Sequence, residues 1–175
     1  MSILASGVVK CPVCGAEAFH YVELLYDVPL FGNVVIYSAY CENCGYKSFD
    51  VDYAEVGRPM RVIFTPRDGL DVAKSLVIRS KTGTILSPDL GFTLEPGTQG
   101  EAIVTTVEGL LYKVIDYAER LKILEPEAAE RVEQFIKNVY RKIETGGFTL
   151  VVEDPLGKSF ISPYRQDTVR VEYLD

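Results

Sequence analysis

Two C-x-x-C pairs are the residues of this chain best suited to chemistry: Cys11 and Cys14 in "CPVCG", and Cys41 and Cys44 in "CENCG". They account for every cysteine in the sequence. Thiolate is a soft ligand that suits Zn²⁺, and four thiolates in a tetrahedron make a closed structural site with no position left for a substrate. A two-residue gap lets the backbone turn so that both sulfurs of a pair face one ion. Gly15 and Gly45 follow the second cysteine of each pair, where a left-handed turn is cheap only for glycine. The pairs read as two zinc knuckles with Cys11, Cys14, Cys41 and Cys44 as ligands.

Three other uses of these residues compete with that reading. A redox C-x-x-C normally follows a strand and opens a helix, whereas "CPVCG" leads into strand sequence and a matching second pair would have no role. Two structural disulfides are a second option, since intracellular proteins of extreme thermophiles carry them. His20, the sole histidine, could replace one thiolate, but it sits six residues past Cys14 inside a strand pattern and reads as a half-buried strand residue.

To bring the pairs together the intervening chain must fold back on itself. The 26 residues between Cys14 and Cys41 exceed the usual gap of about 15 to 20. "AFHYVELLY" and "NVVIYSAY" are rich in β-branched and aromatic residues, and "DVPLFG" between them carries turn residues. The expectation is a long hairpin with a knuckle at each base, a zinc ribbon over residues 1–56. No Gly/Ser/Pro tract follows it, so the ribbon should be docked on its neighbour.

Residues 57–175 form the second expected unit. From Met60 to Gly100 short strand patterns ("RVIF", "SLVIRS", "TILS", "FTLE") alternate with turn signals, which predicts all-β structure. The period then changes. In "TTVEGLLYKVIDYAERLKIL" the apolar residues fall at three- and four-residue steps, with Thr105 and Glu108 spaced as a capping box. A second helical pattern follows Pro126 and stops at Gly146, so a helical hairpin spans about 104–145. "FTLVVEDPLGKSFIS" then predicts two strands folded back on each other about the "DPLG" turn. The fold class is mainly β with inserted α: a ribbon plus one sandwich or barrel that carries the helical hairpin.

Composition narrows the function. A formal charge of −7 and a pI near 4.8 argue against phosphate-backbone binding, which needs clustered Lys and Arg. No apolar run is long enough to span a membrane, and "MSILASGVVK" lacks the features of a signal peptide, so a cytoplasmic location is expected. Three Asn, three Gln and two Met among plentiful Glu, Lys and Arg resemble thermophile usage. With one His and four metal-bound Cys, the usual nucleophile and base pairs are missing; no Walker-type phosphate loop or nucleophile elbow occurs either, so the chain reads as no enzyme.

Taken in order, "CPVCG", "DVPLFGNVVIYSAYCENCGYKSFDV", "VAKSLVIRSKTGTILSPDLGFTLEPG", "VTTVEGLL" and "FTLVVEDPLGKSFI" resemble the ZPR-one zinc-finger family over nearly the whole chain. The resemblance implies a zinc finger joined to a double-stranded β-helix barrel with an inserted helical hairpin. This chain has one such module where eukaryotic members carry two, so it resembles an archaeal single-module form. Eukaryotic relatives bind translation elongation factor 1A and assist its folding, and some engage a growth-factor receptor kinase domain. The resemblance thus implies a zinc-binding chaperone or interaction protein for the elongation factor 1A homologue. Lys158 departs from the pattern of relatives, which carries Asn at that position.

If zinc only holds the ribbon together, the ribbon's display is what matters. Val28, Pro29, Leu30 and Phe31 make an apolar tip that corresponds to a family motif. They either meet a partner or fold back onto the barrel. The competing function is a nucleic-acid or ribosome-associated zinc ribbon, which the ribbon's Glu17, Glu23, Asp27, Glu42 and Asp50 against Lys10 and Lys47 disfavour.

Overall fold

The computed structural model describes residues 1–28, 32–53, 57–96 and 102–174. Among them, β1 (Ser2–Val9), β2 (Phe19–Val28), β3 (Gly32–Cys41) and β4 (Lys47–Tyr53) form one antiparallel sheet in chain order. β2 and β3 are the expected hairpin, in register from Phe19 opposite Cys41 to Val28 opposite Gly32. Alternation decides which face is covered. Val34 and Val51 are buried, and Tyr26, Ile36 and Phe49 pack beside them. The sequence had raised no expectation of β1, whose side chains are mostly exposed and so lack a burial period.

The remaining strands are β5 (Met60–Phe64), β6 (Leu76–Arg79), β7 (Thr84–Ser87), β8 (Phe92–Leu94), β9 (Ile103–Thr106), β10 (Leu150–Asp154), β11 (Phe160–Ser162) and β12 (Val169–Tyr173). They make a five-stranded sheet in the order β12-β5-β10-β7-β8 and a three-stranded sheet in the order β11-β6-β9. One core draws Val62, Phe64, Ile85, Leu150 and Val152 from the first sheet and Val77, Ile78, Phe160 and Ile161 from the second. Val34 and Val51 of the ribbon belong to the same core. Two ion pairs fix the docking: Lys81 Nζ lies 2.8 Å from Asp50 Oδ2, and Lys158 pairs with Asp52. Lys158 thus links the ribbon to its neighbour.

Between β9 and β10 run α2 (Val107–Leu124) and α3 (Ala129–Thr145), the expected helical hairpin. Leu110, Leu111, Ile115, Val132, Ile136, Val139 and Ile143 bury their apolar stripes in the same core. Pro126 opens a short 3₁₀ turn before α3, and Gly146 closes the helix at φ 63°.

Three local expectations need correction. The cap of α2 is Thr106, whose Oγ1 accepts from the Gly109 N–H at 3.0 Å, and not Thr105. Two adjacent threonines offer the same chemistry, and the chain's exit from β9 selects the second. The Met60 to Gly100 stretch is not all β: α1 (Gly69–Lys74) follows Asp68, which caps it through the Leu70 and Asp71 N–H groups.

Nor do β10 and β11 pair with each other. The "DPLG" turn forms, with Gly157 N–H donating to Asp154 O at 3.1 Å, but it carries the chain from one sheet to the other. Asp154 explains why. Its carboxylate, 1% exposed, accepts from Ser80 Oγ (2.6 Å) and Ser159 Oγ (2.5 Å) on Oδ2, and from Thr82 Oγ1 (2.7 Å) and the Leu156 N–H (2.9 Å) on Oδ1. A buried carboxylate needs such donors, and they come from the segment between β6 and β7, from the residue before β11 and from the turn itself.

Candidate metal centre

Each knuckle is built by the same three backbone features. In the first, Gly15 N–H donates to Cys11 O (2.9 Å), Cys11 N–H donates to Ala16 O (2.8 Å), and Gly15 takes φ 74°. In the second, Gly45 N–H donates to Cys41 O (2.9 Å), Cys41 N–H donates to Tyr46 O (2.8 Å), and Gly45 takes φ 73°. A further bond, Glu42 N–H to Ala18 O at 3.0 Å, ties the second knuckle to the strand that leaves the first. The pairing of Phe19 with Cys41 completes the closure.

The four sulfurs therefore converge. Cys11 Sγ lies 3.7 Å from Cys44 Sγ, Cys14 Sγ lies 3.7 Å from Cys41 Sγ, and all four atoms fall within 4.8 Å of one another. A tetrahedral ion with Zn–S bonds of about 2.3 Å requires sulfurs about 3.8 Å apart. The donor set fits zinc in type, number and spacing. In each pair the first cysteine is buried and the second exposed. Val13 N–H points at Cys11 Sγ (3.4 Å), and the Asn43 side-chain amide donates to Cys14 Sγ (3.5 Å).

Those donors shape the charge of the sulfurs. The Asn43 amide, helped by the Ala16 N–H, brings the Cys14 thiol down to about 6. At Cys44 a backbone hydrogen bond from Tyr46 favours the thiolate, but desolvation and the other sulfurs outweigh it and push the thiol up to about 12. A bound cation would remove that opposition by neutralising the cluster.

His20 stands apart from the sulfurs. Its ring stacks on Tyr40 (centroids 5.3 Å apart), and its Nε2 lies 3.3 Å from Glu42 Oε2. A small second core of Cys11, Phe19, Ala39 and Cys41, with Tyr21 and Tyr37 against it, surrounds the metal end of the ribbon. Of the apolar tip, Val28 ends β2, while Pro29, Leu30 and Phe31 lie outside the described residues. Asn43 escaped the sequence reading. Its only signal was its place between two ligands in "CENCG".

A model of the ZPR1 zinc-finger domain matches residues 6–57, and a model of the ZPR1 jelly-roll domain matches residues 71–174. The chain belongs to the ZPR1 family. A ZPR1-like protein of Methanocaldococcus jannaschii is 33% identical over 157 residues, covering 87% of this chain and 79% of its own length. A ZPR1-like protein of Pyrococcus horikoshii is 32% identical, covering 85% and 70%. The zinc finger chaperone zpr1 of Schizosaccharomyces pombe is 32% identical over 165 residues, which is 88% of this chain and 35% of that protein. This ZPR1 chain thus spans about a third of the fission-yeast relative and most of the length of the archaeal ones. Among the described residues no helix is long and apolar enough to cross a membrane.

Proposed function

We propose that this chain is a cytoplasmic, non-enzymatic zinc-organised binding protein of the chaperone class, with Cys11, Cys14, Cys41 and Cys44 as the zinc ligands. Its client is the elongation factor 1A homologue. The observation that carries this reading is the four-sulfur site: four donors fill a tetrahedron and leave no open position for a metal-bound substrate or water. The metal is there to hold a hairpin. A relative that is named a zinc finger chaperone supports the binding role, and the client follows from the resemblance noted in the sequence. Partner contact is assigned to the hairpin tip, Val28, Pro29, Leu30 and Phe31.

Co-expression of the tagged chain with the elongation factor 1A homologue of its own source tests the reading. Stoichiometric co-purification is expected with zinc bound, and loss of it when all four cysteines are serine. Leu30→Asp with Phe31→Asp should abolish capture while zinc content stays the same. Undiminished capture by that double variant would remove the tip from the site. No capture by the intact zinc form would remove the client.

A further inference from the structure

A sheet edge exposes a row of unpaired N–H and C=O groups, so natural proteins shorten edges, charge them or cover them. Each described sheet of this protein has two edges, and five of the six follow that practice. β8 and β11 have three residues each and β9 has four. β12 carries Arg170 and Glu172. β4 carries Lys47, Asp50 and Asp52, two of them held in ion pairs. β1 is the exception. Its eight residues, "SILASGVV", include no charge and no proline, and among the described residues β2 is the one strand it pairs with.

The exposed side chains of β1 are apolar as well. Ile3 is 66% exposed, Leu4 51%, Val8 52% and Val9 46%. Its register with β2 slips once, between Ile3 and Ala5, and then runs regularly from Ala5 to Val9. Water-exposed β-branched residues on a neutral edge that is regular past its one bulge favour addition of another strand.

We infer that the strand added is β1 of a second copy of this chain, paired antiparallel about a twofold axis at Ser6. The sequence of the strand is symmetric in size about that residue: Ser6 would oppose itself and Ala5 would oppose Gly7 of the second copy, with Val8 and the bulged Leu4 flanking them. A twofold interface requires this kind of self-match, in which each residue meets its counterpart twice. Charge points the same way. Each chain carries a formal −7, so two copies approach best along a surface without charge, and β1 provides one. The product is a continuous eight-stranded sheet, β4-β3-β2-β1 followed by its twofold image, with a metal centre on each side of the axis.

Sedimentation of the zinc-loaded chain tests the inference. A species of twice 19.5 kDa is expected, with the amides of β1 gaining protection from hydrogen exchange as protein concentration rises. Ser6 is exposed, so Ser6→Lys should keep zinc and fold while setting two cations face to face. It should weaken association at least about tenfold. Ser6→Glu should do the same, and an equimolar mixture of the two variants should recover the dimer. A monomer whose β1 amides stay unprotected at every concentration overturns the inference and leaves an extended segment of another protein as the occupant of the edge. A dimer indifferent to both Ser6 variants and to their mixture overturns it too, by placing the contact elsewhere.

Discussion

Side chains that no metal or partner would touch decide much of this molecule's behaviour. Asp154 is the clearest case. Burial alone would raise its pKa, but the hydroxyls of Ser159, Ser80 and Thr82 and the Leu156 N–H outweigh it and hold the carboxyl below the ordinary range. A carboxylate whose folded pKa is depressed stabilises the fold above its unfolded value of about 3.9, and that contribution is lost as pH falls through the lower folded value. Asp154→Asn should therefore cost about 2–3 kcal/mol near neutral pH, with the gap to the parent protein narrowing below roughly pH 4. Denaturant titrations at several pH values measure it, and a gap that stays constant into acid would show the charge to be irrelevant. Asn43 acts on the metal centre from outside the ligand set, through its hydrogen bond to Cys14 Sγ. Asn43→Ala should weaken zinc binding about tenfold in chelator competition, because groups that bond to ligands typically contribute on that scale.

At the level of elements, what could be read from sequence followed the strength of each periodic signal. β2, β3, α2 and α3 were legible because one face of each is buried, and burial imposes the period that a reader can see. β1 was missed for the opposite reason, since it packs on neither face well enough to leave a pattern. α1 has six residues, too few for a period, and its one clear mark was Asp68 before Gly69. The "DPLG" turn was recognisable by its residues, yet turn chemistry says nothing about which sheet the next strand joins; that was settled by Ser80 and Thr82, more than seventy residues away in sequence. The convergence of the four cysteines on one site was legible because their spacing is itself the signal, whereas Asn43 and Lys158 act through partners that only the fold brings near. The cap of α2 offers a test of this kind of local detail. Thr106→Ala should destabilise the protein by about 1 kcal/mol. Thr105→Ala should leave the capping bond intact, so equal losses in thermal unfolding would contradict the assignment.

The ribbon as a whole is anchored at both ends by different means. Near the knuckles it relies on a small core around Cys11, Phe19, Ala39 and Cys41, and at the other end it relies on Val34 and Val51, which belong to the main core. A cluster that small cannot hold structure without its metal. Chelation should therefore strip exchange protection from the Phe19 and Ala39 amides while those around Val34 and Val51 keep it, as peptide-level hydrogen exchange would show. Uniform loss along the hairpin would mean that the two anchors act as one. The position of β5 has a consequence in time. It lies between β10 and β12, with Arg61 reaching Glu153 (2.6 Å) and Glu172 (3.7 Å) across both neighbours. Both of its partners are synthesised well after it, whereas the ribbon precedes it and pairs locally. On a growing chain the metal can be captured long before the main core closes. Until the strands and helices of the second unit are made, the inner face of the ribbon has no core to join, so translation itself exposes Val34 and Val51 to whatever chaperones or aggregates are near.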